Sequence, residues 1–148
     1  MALRIPPPIM AMIFGIAIYL TGHLFPEFYT PYNTIYAILS HVSGVFLIAL
    51  SIRKLRSIGT TISPINIKQT SSLVTDGTYQ LSRNPMYLGL TLNLAAISLW
   101  FNMLGGLFLV IIFVCYLNRF QINHEETVMN EKFGDKFIKY KNRVGRWF

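Results

Sequence analysis

The sequence predicts an all-α integral-membrane protein of about four transmembrane helices, the last two paired as a hairpin, followed by a cytoplasmic amphipathic helix. Three observations carry that prediction. Of the 148 residues, 53% are hydrophobic and only 13% charged, with a mean hydropathy of +0.45; soluble domains carry about 25% charged residues. The basic residues behind the net charge of +7 sit at the ends of apolar runs. There they meet anionic lipid head groups and set orientation, so no nucleic-acid partner is expected. After Asn118 the pattern changes from continuous apolarity to a one-sided helical stripe.

At this length one domain is expected to cover residues 1–148. Cys115 is the single cysteine and lies inside an apolar run, which excludes a disulfide framework and a cysteine metal site. The first apolar run lacks a small-residue cleavage pattern and is followed by Pro26 and Glu27, so it reads as a span and not a cleaved signal.

Arg4 and the Pro6-Pro7-Pro8 cluster lead into a first span over about residues 9–25, because proline is tolerated in a helix's first turn. The link to Asn33 has no lysine or arginine, and Phe25, Phe28, Tyr29 and Tyr32 read as an interfacial belt. A second span over 34–52 is closed by Arg53, Lys54 and Arg56. Within it, Ser40, His41, Ser43 and Gly44 form a small, polar patch. That favours close helix packing over a His41 that faces a substrate, and leaves room for a homodimer paired through Gly44. Residues 57–72, with Gly59, Pro64 and Lys68, form a cytoplasmic connection.

The apolar region from Met86 to Leu117 is too long for one crossing of a hydrocarbon core about 30 Å thick. Asn102 and Gly105-Gly106, flanked by Trp100 and Phe101, divide it into spans 86–101 and 103–117. Charge supports this count. Four spans put Arg4, the Arg53–Arg83 connection and everything from Arg119 onward on the cytoplasmic side, leaving the opposite turns without lysine or arginine. In the tail, Met129, Phe133, Phe137, Tyr140 and Val144 share one face, with Glu131, Lys132, Asp135, Lys136, Lys139 and Lys141 opposite. This is an amphipathic helix, loosened at Gly134, lying on the membrane or folded back over the ends of the spans.

The stretch from Leu73 to Gly89 is where chemistry is expected. It sets an Asp76-Gly77 turn, Arg83, two tyrosines and a helix-restarting Pro85 between apolar runs. Irregular polar backbone beside a bilayer is costly without partners. Arg83, Glu125-Glu126 and Arg143 fall on one side of the membrane if the last spans form a hairpin. Such a set can hold a zwitterion, arginine taking a carboxylate and glutamate an ammonium. The plainer alternative has Arg83 snorkelling, the two acids solvating a helix start and Arg143 meeting lipid. His124-Glu125-Glu126 is not a metal site by spacing, since adjacent helical residues diverge. No dinucleotide loop, phosphate loop or nucleophile elbow occurs, and Ser82 has no base near it in sequence.

Gly77-x-Tyr79-x-x-x-Arg83-Asn84-Pro85-x-Tyr87-x-Gly89, a hydrophobic hairpin, Glu125-Glu126, Phe133-Gly134, Tyr140 and Arg143-Val144 follow one another in that order. Over about residues 70–146 this resembles the isoprenylcysteine carboxyl methyltransferase and phospholipid methyltransferase superfamily, integral-membrane enzymes that use S-adenosylmethionine. The resemblance implies a cytoplasmic cofactor site. The family's Arg-His-Pro element falls on Arg83, Asn84 and Pro85, its tyrosine and glycine on Tyr87 and Gly89, its paired acids on Glu125 and Glu126, and its late arginine on Arg143. Leu73, Val74 and Gly77 match the segment along the cofactor, with Tyr79 in the same motif. Arg83 and Glu126 are the catalytic candidates. Asn84 departs from the family's histidine; it still donates and accepts hydrogen bonds but cannot titrate. The implied reaction is in-line methyl transfer to a lipophilic or small acceptor (a carboxylate, amine or thiol), among membrane lipids, in the inner membrane of a bacterium. Two other readings stand beside it: a membrane reductase using NADPH, whose longer relatives share this module, and a non-catalytic lipid-binding scaffold.

Overall fold

The computed structural model describes residues 5–26, 30–61 and 70–148. The expectations for Arg4, Glu27, Phe28, Tyr29, Pro64 and Lys68 lie outside the described residues. All regular structure among the described residues is helical: α1 Pro7–Leu20, α2 Asn33–Ile58, α3 Pro85–Phe101, α4 Met103–Tyr116, α5 Asn123–Phe133 and α6 Asp135–Arg143. Short 3₁₀ turns cover Gly22–Leu24 and Gly77–Gln80, and a π-helical turn, Leu117–Ile122, joins α4 to α5 without a break.

The ends of these helices follow local chemistry. Pro7 opens α1, where its missing N–H costs nothing. The helix stops at Leu20, short of the expected 25, because the Thr21 hydroxyl donates to the Ala17 carbonyl (2.7 Å) and the chain tightens into a 3₁₀ turn. Helix α2 runs six residues past the expected Ile52. Arg53, Lys54 and Arg56 extend it into its polar end, and Gly59 terminates it at φ +69° with left-handed capping geometry. The α3–α4 break falls at Asn102, whose side-chain oxygen accepts from the Gly105 N–H (3.0 Å). The expected single tail helix is two helices, because Gly134 takes φ +49° between α5 and α6.

Helix α3 is central, packing most extensively on α2 and also against α1 and α4. At the α2–α3 crossing, a Cβ on Gly89 would lie 2.6 Å from the Gly44 carbonyl oxygen, and one on Gly44 2.7 Å from the Gly89 carbonyl oxygen. Ser40 adds a hydrogen bond to the Leu92 carbonyl (2.8 Å). Gly44 is therefore consumed inside the chain and is not the dimer contact the small-residue patch had offered. His41 and Ser43 face outward. Ile18, Leu94, Phe113, Leu117 and Ile122 form the fully buried core between α1, α3 and α4.

The outer surface is apolar. Helix α2 and the continuous helix Met103–Phe133 are long and apolar enough to cross a membrane, while α1 and α3 are shorter apolar helices. In the most apolar parts of the two long helices only 17% and 28% of residues are buried. Ile38, Val42, Phe46, Phe108 and Ile111 are among the side chains turned outward. The core helix of a water-soluble protein hides that face; these helices present it, as a bilayer-compatible surface does.

Candidate functional site

The N-terminus of α1, the C-terminal part of α2, the start of α3 and the start of α5 meet at one end of the bundle around a cavity of about 620 Å³. That is a usual size for a small-molecule site. Leu73, Val74, Tyr79, Arg83, Asn84, Pro85, Tyr87, Glu125 and Glu126 all line it. The hairpin brings the paired acids to the elbow at Arg83 across forty residues of chain. Three other expected residues have different positions. Gly77 makes the turn into the 3₁₀ segment at φ +62°, Gly89 sits in the helix crossing, and Arg143 is exposed at the end of α6. None of the three lines the cavity.

The two carboxylates, adjacent in sequence, have opposite surroundings. Glu126 meets cations: Arg83 Nη2 lies 3.0 Å from Oε1, Arg146 Nη2 2.7 Å from Oε2, and Lys141 Nζ 3.7 Å from Oε2. Arg146 Nε also donates to Oε1 (3.0 Å), so Arg146 grips both oxygens. Burial opposes ionisation here, but the Arg146 hydrogen bonds and the charges of Arg83, Arg146 and Lys141 outweigh it. They hold the carboxyl below the ordinary range. Glu125 instead meets neutral donors: Tyr87 Oη at 2.5 Å and Gln121 Nε2 at 2.6 Å, both on Oε1. Its desolvation dominates over those hydrogen bonds, and the charge of Glu126 adds to it, so its carboxyl is pushed up. The π-helical turn has a direct role in this. It carries Gln121 one turn before Glu125, so that Gln121 and Tyr87 of α3 donate to the same Glu125 oxygen.

Arg83 is buried at the cavity, its side chain only 8% exposed. Its Nε and Nη1 are buried without a hydrogen-bond partner among the described residues, as is Thr70 Oγ1 on the same cavity wall. Unsatisfied buried donors are rare in a folded chain and call for an acceptor. The backbone of the elbow is fixed separately: Arg83 N–H donates to the Gly145 carbonyl (3.0 Å), and Ser82 Oγ (3.2 Å) and Asn84 Nδ2 (3.0 Å) donate to the Arg146 carbonyl. Asn84 thus ties the elbow to the residues after α6.

Helix α6 folds back over the site, the second of the two arrangements its stripe allowed. Phe137, Tyr140 and Val144 pack with Leu73, Tyr79, Met129 and Phe133. Tyr140 Oη donates to the Tyr79 carbonyl (2.6 Å). Burial raises both phenols, Tyr140 to about 12, so neither ionises near neutral pH.

Sequence reasoning missed Arg146, Gln121, Thr70 and the apolar wall of Pro6, Ile48, Ile52 and Leu55. Arg146 had one available signal: it lies three residues after the predicted Arg143, beyond the end of α6. The others had none, because they belong to elements whose apposition only packing decides.

Residues 32–136, more than half of the chain, match a family model described as phospholipid methyltransferase. An uncharacterized protein of Haemophilus influenzae is 47% identical over 62 residues, covering 42% of this chain and 98% of that protein. No solved structure matches.

Proposed function

This chain belongs to the phospholipid methyltransferase family, and from that premise we propose that it is an integral-membrane methyltransferase that uses S-adenosylmethionine to methylate a lipophilic or small acceptor. The observation that carries the cofactor reading is Arg83. Its two buried donors, without a partner among the described residues, stand at a cavity that also holds Glu125, whose carboxyl accepts from the neutral Tyr87 and Gln121. A zwitterionic amino-acid moiety fits both, its carboxylate on Arg83 and its ammonium on Glu125. S-adenosylmethionine, when bound, supplies an activated methyl group that an acceptor nucleophile takes by in-line displacement.

The protein's own part is positioning and exclusion of water. Tyr79, Tyr140 and the α6 roof cover the polar half of the cavity. Leu73 and Val74 line it along the segment expected to follow the cofactor, beside Asn84, Pro85 and Tyr87. Pro6, Ile48, Ile52, Leu55 and Leu90 form an apolar wall suited to the hydrocarbon part of an acceptor. Glu126, committed to two arginines, organises the site and needs no proton transfer to do so.

In the membrane, α1 to α4 are four spans, with the spanning part of the last one ending near Tyr116. Residues 1–148 form one domain, and the cofactor module covers about 70–146. The cavity lies where α1 and α3 begin, α2 ends and α5, continuous with α4 through the π-helical turn, begins, as the alternation of an up-down bundle gives. Arg53, Lys54, Arg56, Arg83, Arg119 and the basic tail share that end, and the positive-inside tendency supports reading it and both termini as cytoplasmic, in a bacterial inner membrane.

The test is calorimetric titration of detergent-solubilised protein with S-adenosylmethionine and S-adenosylhomocysteine. Wild type is expected to bind both saturably and Arg83→Ala to lose about 100-fold in affinity, as removal of charged hydrogen bonds does. Absence of binding by folded wild type, with NADPH bound in its place, would move the assignment to a reductase.

A further inference from the structure

We propose that Arg146 is a positioning residue of the ligand site: by occupying both oxygens of Glu126, it leaves Arg83 with two uncommitted N–H groups for the carboxylate of a bound amino-acid moiety. This rests on the cofactor reading above and adds a residue and a division of labour to it.

Glu126 is contested by two guanidinium groups. Arg146 meets it with a fork, Nε to Oε1 at 3.0 Å and Nη2 to Oε2 at 2.7 Å, while Arg83 reaches it through Nη2 alone, at 3.0 Å. A carboxylate prefers a planar fork to a single contact. With Arg146 in place the fork position is taken, and Nε and Nη1 of Arg83 remain without partners among the described residues. Without it, only Lys141 at 3.7 Å, on a half-exposed side chain, would compete. Glu126 would then draw the fork of Arg83 onto itself and reduce what Arg83 offers a ligand.

Arg146 is itself held from several sides. Its Nη2 donates to Asn123 Oδ1 (3.0 Å), and its carbonyl accepts from Ser82 and Asn84. Trp147 Nε1 donates to Asn118 Oδ1 (3.1 Å) on the π-helical turn. Gly145 lets the chain fold tightly here, since a Cβ on it would collide with the Phe148 carbonyl. The strap after α6 therefore joins the Arg83 elbow to α5, with its backbone on one and its side chain on the other.

The test compares two ligands on the intact detergent-solubilised protein by calorimetry. S-adenosylhomocysteine carries the amino-acid carboxylate; 5′-methylthioadenosine keeps the nucleoside and thioether but lacks it. Arg146→Ala is expected to weaken S-adenosylhomocysteine about tenfold, the effect of disturbing one charged hydrogen bond, and to leave 5′-methylthioadenosine unchanged. Arg146→Lys, which keeps the charge and loses the fork, falls between and carries the comparison if the alanine variant does not purify folded. Equal weakening of both ligands would make Arg146 a general support of the fold and overturn the proposal while the cofactor reading stands. Folded wild type that binds neither ligand would overturn the cofactor reading, and this proposal with it.

Discussion

The α2–α3 crossing and the cap around Glu126 are held together by opposite means. At the crossing, Gly44 and Gly89 bring two helix backbones together and no charge takes part. In lipid, apolar side chains gain little by meeting each other, so close van der Waals contact and a hydrogen bond such as Ser40 to Leu92 must do the holding. At the cap, three cationic side chains, from the elbow, α6 and the strap, meet around one carboxylate on α5. The crossing depends on the absence of atoms and the cap on their presence, so the two should fail under different perturbations.

The largest effect is expected at the crossing. Gly89→Leu would drive a side chain into the Gly44 carbonyl and Ile48, and overpacking of about 3 kcal/mol or more should abolish monodisperse, detergent-stable protein. Size-exclusion chromatography reads this, and a normal profile would mean that α2 and α3 are not in backbone contact.

Next is Glu126→Gln, at about 2 kcal/mol near neutral pH, because it weakens hydrogen bonds to two arginines. The pH dependence sharpens the contrast. Glu126 is ionised more readily when folded, so its contribution is fully present above the ordinary carboxylate value of 4.5 and lost as pH falls through its lower folded value. Thermal unfolding should therefore show wild type and Glu126→Gln converging in acid. Glu125 has the opposite sign. Its raised carboxyl makes ionisation costly to the fold as pH rises above 4.5, so Glu125→Gln should lose little stability at neutral pH although it weakens ligand binding.

A smaller effect, about 1 kcal/mol, is expected for Asn84→Ala, which removes the hydrogen bond to the Arg146 carbonyl. Denaturation that leaves this variant unchanged would mean that the strap's other hydrogen bonds, from Ser82, Arg83 and the Arg146 and Trp147 side chains, hold it without Asn84. The smallest is Lys54→Ala. Its bridge to Asp76 (2.6 Å) is solvent-exposed, and its loss should not be measurable in the same assay.

Much of the site was legible in the sequence because its residues come in compact motifs. Leu73 to Tyr87 and Glu125-Glu126 are local signals, and ten of those residues line one cavity. Arg146 was passed over because the family's late arginine was matched to Arg143, a local match blind to the strap beyond the end of α6. The same weakness placed the end of α2 at its first charges, when Gly59 sets it, and gave the tail one helix where Gly134 makes two.

The sequence by itself determined the helical class, the break at Asn102 and the apolar outer surface, each of which rests on composition or on interactions within one turn of chain. Its motifs, through the family they resemble, also named most of the polar residues of the cavity. Only the tertiary structure decided that Gly44 serves α3, that α6 roofs the cavity, and that Glu125 and Glu126 live in opposite electrostatic settings. Adjacent residues on a helix point about 100° apart, so which neighbours each one meets is fixed by the packing of distant elements.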